Sequence, residues 1–262
     1  DFYEKSLKTC IEQQYRNYHV YVLDDSNDRD LNNRIDRFAE DNKNRMSVIR
    51  RGDRLGFKAG NLNNALKAIG GQYEYFAVVD SDSMLSGTFI KDTLSYFSAD
   101  SRLGYVQANH TGYLKEDNAL TSALVLGVEL HYKNTPVVKN NYGLNIFYGH
   151  DAMIKMDAWK KAGGFPEIVS EDMAFSLAVR SAGYHGIFAR DIICQEAFPA
   201  NYVELRRRSE KWVKGTSEFI LLYFPKYIRD KNIYWFEKSD IVLSTLSYIL
   251  PLPYLFLARI MM

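Results

Sequence analysis

Short apolar runs alternate along this chain with stretches in which apolar residues recur every three or four positions. Residues 19–23, 46–50, 75–79 and 104–108 have the runs of Val, Ile, Tyr and Phe that predict strands. Residues 31–42, 61–69 and 87–97 have helical spacing, and so do residues 1–14 through Phe2, Leu7, Cys10 and Ile11. Further on, a longer helix is predicted over 117–132 and a strand over 145–148. A short helix over 157–162 is closed by Gly163-Gly164, and another over 173–182 stops at Gly183, with Ser170 as its candidate N-cap. Strands at 187–189 and 192–194 precede a basic helix that runs through Arg206, Arg207 and Arg208 to Lys214. Alternation of this kind predicts an α/β domain with a mainly parallel, Rossmann-like sheet and flanking helices. Such a domain normally begins with a strand, and none precedes the first helix, so the natural chain is expected to extend further at its N-terminus.

The pattern changes towards the C-terminus. Residues 219–236 mix aromatic side chains with scattered Lys and Arg, a composition suited to a helix lying in a membrane interface. Residues 241–262 are almost wholly apolar, with Arg259 the only charge and prolines at 251 and 253. That is about the roughly 20 residues a membrane span requires.

Composition adds limits rather than direction. The 262 residues suffice for one large α/β domain or two small ones, and 47% hydrophobic with 25% charged residues is ordinary for a globular chain. A net charge of +1 argues neither for nor against nucleic acid as a partner. The two cysteines, Cys10 and Cys194, exclude a disulfide framework and fit a reducing compartment.

Candidate chemistry sits at the ends of the predicted strands, where open α/β sheets bind ligands. Asp80-Ser81-Asp82 ends the run 76–79, and two carboxylates at i and i+2 can converge on a hard cation such as Mg²⁺ or Mn²⁺. Asp24-Asp25 and Glu171-Asp172 occupy comparable positions. Lys58-Ala59-Gly60-Asn61 opens a helix, and helix N-termini with a lysine beside them suit a diphosphate. Neither a P-loop nor a Gly-x-Gly-x-x-Gly turn is present, which excludes P-loop kinases and ATPases and dinucleotide enzymes of those designs. The combination points to a nucleoside-diphosphate compound with a metal-neutralised leaving group.

In order, Asp-Asp-Ser, Lys-Ala-Gly-Asn-Leu-Asn-Asn-Ala-Leu, Asp-Ser-Asp, Ser-Glu-Asp and a basic helix ending in Lys-Trp resemble the inverting family 2 glycosyltransferases. The likeness is nearest to their processive, membrane-embedded branch of cellulose synthases and bacterial β-glucan synthases, and it runs from about Lys5 to Trp212. The resemblance implies a GT-A-like domain over 1–200 without its first strand. An acceptor-side basic helix and interfacial segment over 201–238 would follow, and then a transmembrane helix over 239–262. It implies that Asp24, Asp25, Lys58, Asn61, Asp80 and Lys211 hold the donor, and that Asp80 and Asp82 bind it through Mg²⁺ or Mn²⁺. Asp172, with Glu171 beside it, would be the general base, and Trp212, Arg208 and His150 would face the acceptor. His150 is equally explicable as a satisfied structural histidine.

The implied reaction is transfer of glucose from UDP-glucose to the non-reducing end of a growing β-glucan. Related enzymes use UDP-N-acetylglucosamine or make a single transfer to a lipid or oligosaccharide, and a silent sugar-nucleotide sensor would need no base. The implied partners are a UDP-sugar, a polysaccharide or oligosaccharide acceptor, membrane lipid and further parts of the same polypeptide, with no nucleic acid. The implied location is the inner (plasma) membrane with the catalytic domain in the cytoplasm. Three positions depart from the family pattern: Arg208 stands for Gln and Lys211 for Arg in Gln-x-x-Arg-Trp, and Ser83 stands where cellulose synthases often have His.

Overall fold

In chain order the elements are α1 (Phe2–Ile11), β1 (Val20–Leu23), α2 (Arg29–Asp41), β2 (Met46–Ile49), α3 (Phe57–Ile69), β3 (Tyr75–Val78), α4 (Phe89–Ala99) and β4 (Leu103–Tyr113). Then come α5 (Ala119–Tyr142), β5 (Ala152–Lys155), α6 (Met156–Ala162), α7 (Glu171–Ser181), β6 (His185–Ala197), α8 (Tyr202–Leu222), α9 (Phe224–Ile228) and α10 (Trp235–Leu246). They are those of a computed structural model that describes residues 2–113, 118–246 and Arg259. Local chemistry explains several boundaries. Asp28 caps α2 by accepting from the amides of Asp30 and Leu31, and Asn118 begins α5 with a reciprocal capping box to Thr121. Asn201 caps α8 by accepting from the Glu204 amide. Ser170 does occupy the N-cap position of α7, but its side chain makes no capping hydrogen bond.

The sheet corrects the expectation of mainly parallel pairing. β1 and β2 form a separate parallel pair, while a second sheet has the order β3-β5-β4-β6. In it β5 is antiparallel to both neighbours, and only β4 and β6 are parallel. The predicted strand over 145–148 is not a strand; β5 begins after Asp151. The apolar run misled because Leu144 and Phe147 are buried as irregular backbone, and an apolar run alone does not state direction. A turn through Gly149, with φ at 89°, and Asp151, with φ at 52°, sends the chain back antiparallel between β3 and β4.

Both faces of this sheet are covered. Tyr105, Ile154 and Ala152 pack with Phe147, Trp159, Phe165 and Phe175 on one side. Val106, Met153 and Ala108 pack with Phe89, Phe97 and Ile192 on the other. The side-chain alternation of β5 thus feeds two cores from adjacent residues. A third core joins Leu144, Ile168, Ala174 and Leu177 to Phe219, Tyr227, Ile233 and Ile241, so α8, α9 and α10 fold back onto α7. Leu221, Leu222, Trp235 and Leu243 remain exposed on these helices. No helix among the described residues is long and apolar enough to cross a membrane, and most of the span expected over 239–262 lies outside the described residues.

Candidate active site

β3 ends two residues before Asp80, and α3 starts one residue before Lys58. The chain enters α3 through Gly56, whose φ of 71° is in the left-handed region that glycine adopts without a Cβ penalty. Arg51 holds this entry together. Its guanidinium forks onto the Asp25 carboxylate, at 3.0 Å from Nε and 2.7 Å from Nη2, and also donates to the carbonyls of Leu55 and Phe57. Asp24, buried, accepts from Arg50 at 2.8 Å and from the Ser26 amide at 2.8 Å. The two acids that follow β1 are therefore engaged by arginines of the loop before α3. A cleft of about 430 Å³ lies beside them, lined in part by Arg50, Arg51, Asp53, Asn64 and Glu167.

Lys58 and Asn61 lie one helical turn apart on α3 and face different groups. Asn61 is buried; its Nδ2 donates to the Leu23 carbonyl at the end of β1, and its Oδ1 has no partner. Lys58 instead pairs with Asp80 and donates to the Gly149 carbonyl at 2.9 Å. Burial alone would drive the Lys58 ammonium towards neutrality, but Asp80, then Glu171 and Asp172, hold its pKa above the ordinary lysine value. Burial pushes Asp80 up, and Lys58 with His150 and Lys211 overcomes this and leaves it below the usual carboxylate range.

Asp172 enters the same space from the first turn of α7. A methyl group placed on Gly149 would stand 3.9 Å from both the Asp172 carboxylate and the Lys58 ammonium, so the three meet at this turn. Burial raises the Asp172 carboxyl, opposed by the Met173 amide it accepts from at 2.7 Å and by Lys58. Glu171 is raised to about 7, by burial first and by the Asp172 charge second. Two carboxyls side by side in a poorly solvated place share their titration. Such a pair, beside a cation and an open turn, can take a proton near neutral pH.

Asp82 is raised by burial and by the neighbouring Asp80 charge. Lys58 is committed to Asp80, so the Asp82 carboxylate is the one a divalent cation would relieve, and oxygen donors suit Mg²⁺ or Mn²⁺. Among the described residues, ligand atoms of His110, His150 and Glu196 also lie within 4.8 Å of one another, a spacing that could hold a cation.

His150 is the centre of that cluster. Its Nδ1 lies 3.2 Å from Asp151 Oδ2 and 3.2 Å from Ser83 Oγ, and its Nε2 lies 3.3 Å from Glu196 Oε2. Burial would lower its pKa, but Asp151 and Glu196 hold it well above the ordinary histidine value. His110 stacks on the ring at 4.6 Å and is pushed down to about 4 by burial and by the His150 charge. Gln107, fully buried, donates to the His150 carbonyl and accepts from the Tyr148 amide, fixing the turn. Both His150 nitrogens face carboxylates and one ring face is stacked.

Lys211 is exposed on α8, on the side that acts electrostatically on Asp80 and Glu171. Trp212 is 47% exposed, and the Arg208 guanidinium lies 4.7 Å from its ring centroid. α8 reaches this position because Gly215 packs against the start of α7: a Cβ there would stand 2.2 Å from Ser170 Oγ.

The structure thus brings Lys58, Asp80 and Asp172 to the turn at Gly149-His150, with Asp82 and Glu171 beside them in the chain and Lys211 acting on Asp80 and Glu171 through its charge, while Asn61 reaches the end of β1, where Asp24 and Asp25 pair with Arg50 and Arg51. Sequence reasoning missed Arg51, Gln107, His110, Asp151 and Glu196. Glu196 carried a signal, a lone acid closing the apolar run 192–194, and it is buried there.

Comparison with known proteins gives the family and the fold. Residues 75–262 match the family described as "Glycosyl transferase family group 2". Curated proteins named glucans biosynthesis glucosyltransferase H, from Shewanella sp. strains ANA-3 and W3-18-1, are each 24% identical over 221 residues, 78% of this chain. The chain spans 29% of their length. Among solved structures, the mannosyltransferase PcManGT from Pyrobaculum calidifontis, in complex with GDP-Man and Mn²⁺, superposes with a TM-score of 0.64 at 22% identity, over 84% of this chain and 60% of that one. S. aureus TarS 1–349 in complex with UDP-GlcNAc gives 0.60 at 15% identity, over 94% of this chain and 69% of that one. These likenesses carry the fold, a GT-A-like α/β domain with mixed sheets. With the family match covering the larger part of its length, this chain belongs to glycosyl transferase family group 2 and is a glycosyltransferase.

Proposed function

We propose that the chain is the catalytic domain of a membrane-bound, inverting glycosyltransferase. It moves glucose from UDP-glucose to the non-reducing end of a growing β-glucan, as in the cellulose synthase-like branch. The observation that carries this reading is the meeting of Asp172 with the Lys58–Asp80 pair at Gly149. It joins a proton acceptor to a cationic diphosphate site within one turn. The glucosyltransferase relatives support glucose and a glucan, and the sugar nucleotides in the solved neighbours support a nucleotide-sugar donor.

Asp172 takes the proton of the acceptor hydroxyl as its oxygen attacks the anomeric carbon. The bond from that carbon to the phosphate oxygen breaks, and the electron pair leaves with UDP. One displacement inverts the centre, giving a β-linkage from an α-linked donor. Lys58 and Lys211 hold the diphosphate, while Asp24, Asp25 and Asn61 border the nucleoside side. Lys211 serves as a point charge without the fork of an arginine. Asp80 and Asp82 would hold Mg²⁺ or Mn²⁺, which neutralises the leaving diphosphate; the raised Asp82 carboxyl and the Mn²⁺ complex of the neighbour support a divalent cation. Trp212 stacks on the acceptor sugar. The domain faces the cytoplasm at the inner membrane, with the exposed apolar residues of α8 and α10 towards lipid.

Radiolabelled UDP-glucose and UDP-N-acetylglucosamine, offered to the full-length protein in membranes, test the proposal. Label from UDP-glucose in a polymer cleaved by a β-glucanase supports it. Incorporation from the other donor alone, or UDP release without elongation, overturns it.

A further inference from the structure

The family pattern has Gln where this chain has Arg208, and the structure gives that arginine three neighbours a glutamine could not serve equally. Its Nη2 lies 3.9 Å from Glu196 Oε1, and its guanidinium lies over Trp212 at 4.7 Å and over Phe198 at 5.5 Å. Glu196 is buried near the end of β6 and turns its other oxygen to His150, which reaches Ser83 in the turn after Asp82. The run of contacts Ser83–His150–Glu196–Arg208–Trp212 therefore joins the donor carboxylates to the acceptor-side ring. The Glu196 carboxylate lies between the His150 imidazole and the Arg208 guanidinium. Left without a cation, Glu196 would be a costly buried charge.

An indole has two faces on which a sugar can stack. A guanidinium is attracted to a ring face, and here it occupies one of them. We propose that Arg208, held by Glu196, is a specificity-determining residue of the acceptor side: it covers one face of Trp212 and leaves the other as the single platform for the incoming sugar. This rests on the reading of Trp212 as the acceptor platform given above. The position of the ring relative to Asp80 and Asp82 is fixed through Glu196 and His150, so Glu196 is a positioning residue. Replacing the arginine by the family's glutamine frees the second face, and the acceptor gains a second, unproductive way to stack.

Two measurements on the full-length protein test this separately from the donor assignment. The first is Trp fluorescence during titration with a β-linked gluco-oligosaccharide, without donor, using Trp212→Phe to isolate the signal. The wild type is expected to give a Trp212-dependent change, Arg208→Gln to weaken the apparent affinity about tenfold, and Arg208→Lys, which keeps a cation over the ring, to lose less than threefold. The second is turnover of UDP-glucose with and without the oligosaccharide. Arg208→Gln and Glu196→Gln are each expected to raise the acceptor KM with the donor KM unchanged, and the double variant to be no worse than the poorer single one. An unaltered fluorescence titration in Arg208→Gln, or effects of the two substitutions that multiply, overturns the proposal. A wild type that shows the fluorescence response but no turnover of UDP-glucose contradicts the donor reading and leaves the Arg208 assignment standing.

Discussion

Lys58 donates to the carbonyl oxygen of Gly149 at 2.9 Å, across 91 residues of chain. This bond ties the first turn of α3 to the turn before β5, and its ammonium also neutralises Asp80. Lys58→Met is expected to lower kcat/KM for the donor at least tenfold, on the scale of about 1.5–3 kcal/mol for a hydrogen bond to a charged group. Initial rates against UDP-glucose concentration read the effect. Asp80 would lose the main charge that holds its carboxyl down, and burial would then carry it upward.

The Glu171–Asp172 pair sets the pH dependence. Glu171 is raised to about 7, so both carboxylates are ionised only above neutrality and a proton sits on the pair below it. A base must be unprotonated to act. Burial raises the Asp172 carboxyl above the ordinary carboxylate range, so activity is expected to be full where Asp172 is ionised and to fall on the acid side as it takes up its proton. Glu171→Gln removes the like charge and is expected to move this limb to lower pH, as read from a pH profile of kcat/KM for the acceptor.

Much of this site was legible because strand ends carry chemistry that can be read from residue type. Asp80, Asp82, Asp172 and Lys58 stood out as carboxylates or a cation beside apolar runs, and the fold brings Lys58, Asp80 and Asp172 to one turn. β5 itself was not legible: the sequence reading places a strand at 145–148 instead, and a turn with positive φ at Asp151 decides where the strand starts and which way it runs. The partners of His150 were hidden for a related reason. Glu196 is 46 residues away on β6, and only the pairing of β4 with β6 and the return of β5 bring it to the imidazole. Asp25 was legible as an acid but not as the anchor of Arg51, a contact 26 residues apart.

Divalent cation is expected to be required. Chelation should abolish transfer, and added Mg²⁺ or Mn²⁺ should restore it. In Asp82→Ala the metal concentration for half-maximal rate should rise at least tenfold, about 1.4 kcal/mol. Undiminished transfer by the chelated enzyme, or an unchanged metal requirement in the variant, contradicts the assignment of Asp82.

Gly215 sets the approach of α8 to α7. A Cβ there would meet Ser170 Oγ at 2.2 Å and the Ser170 amide nitrogen at 3.0 Å, so Gly215→Ala must turn the Ser170 hydroxyl aside and crowd the start of α7. A loss of roughly 1–3 kcal/mol in urea unfolding is expected, the usual range for overpacking. Because Lys211 and Trp212 ride on α8, the rate with acceptor should fall further than acceptor-independent donor hydrolysis.

The most direct test of the account is the transfer rate of Asp172→Asn with UDP-glucose and a glucan acceptor, measured at saturating donor beside the wild type. Asn keeps the shape of the side chain and cannot accept the acceptor proton. The account predicts a fall of roughly 10²–10⁴-fold, the usual worth of a general base, with the donor KM little changed. A variant that transfers glucose at the wild-type rate contradicts it.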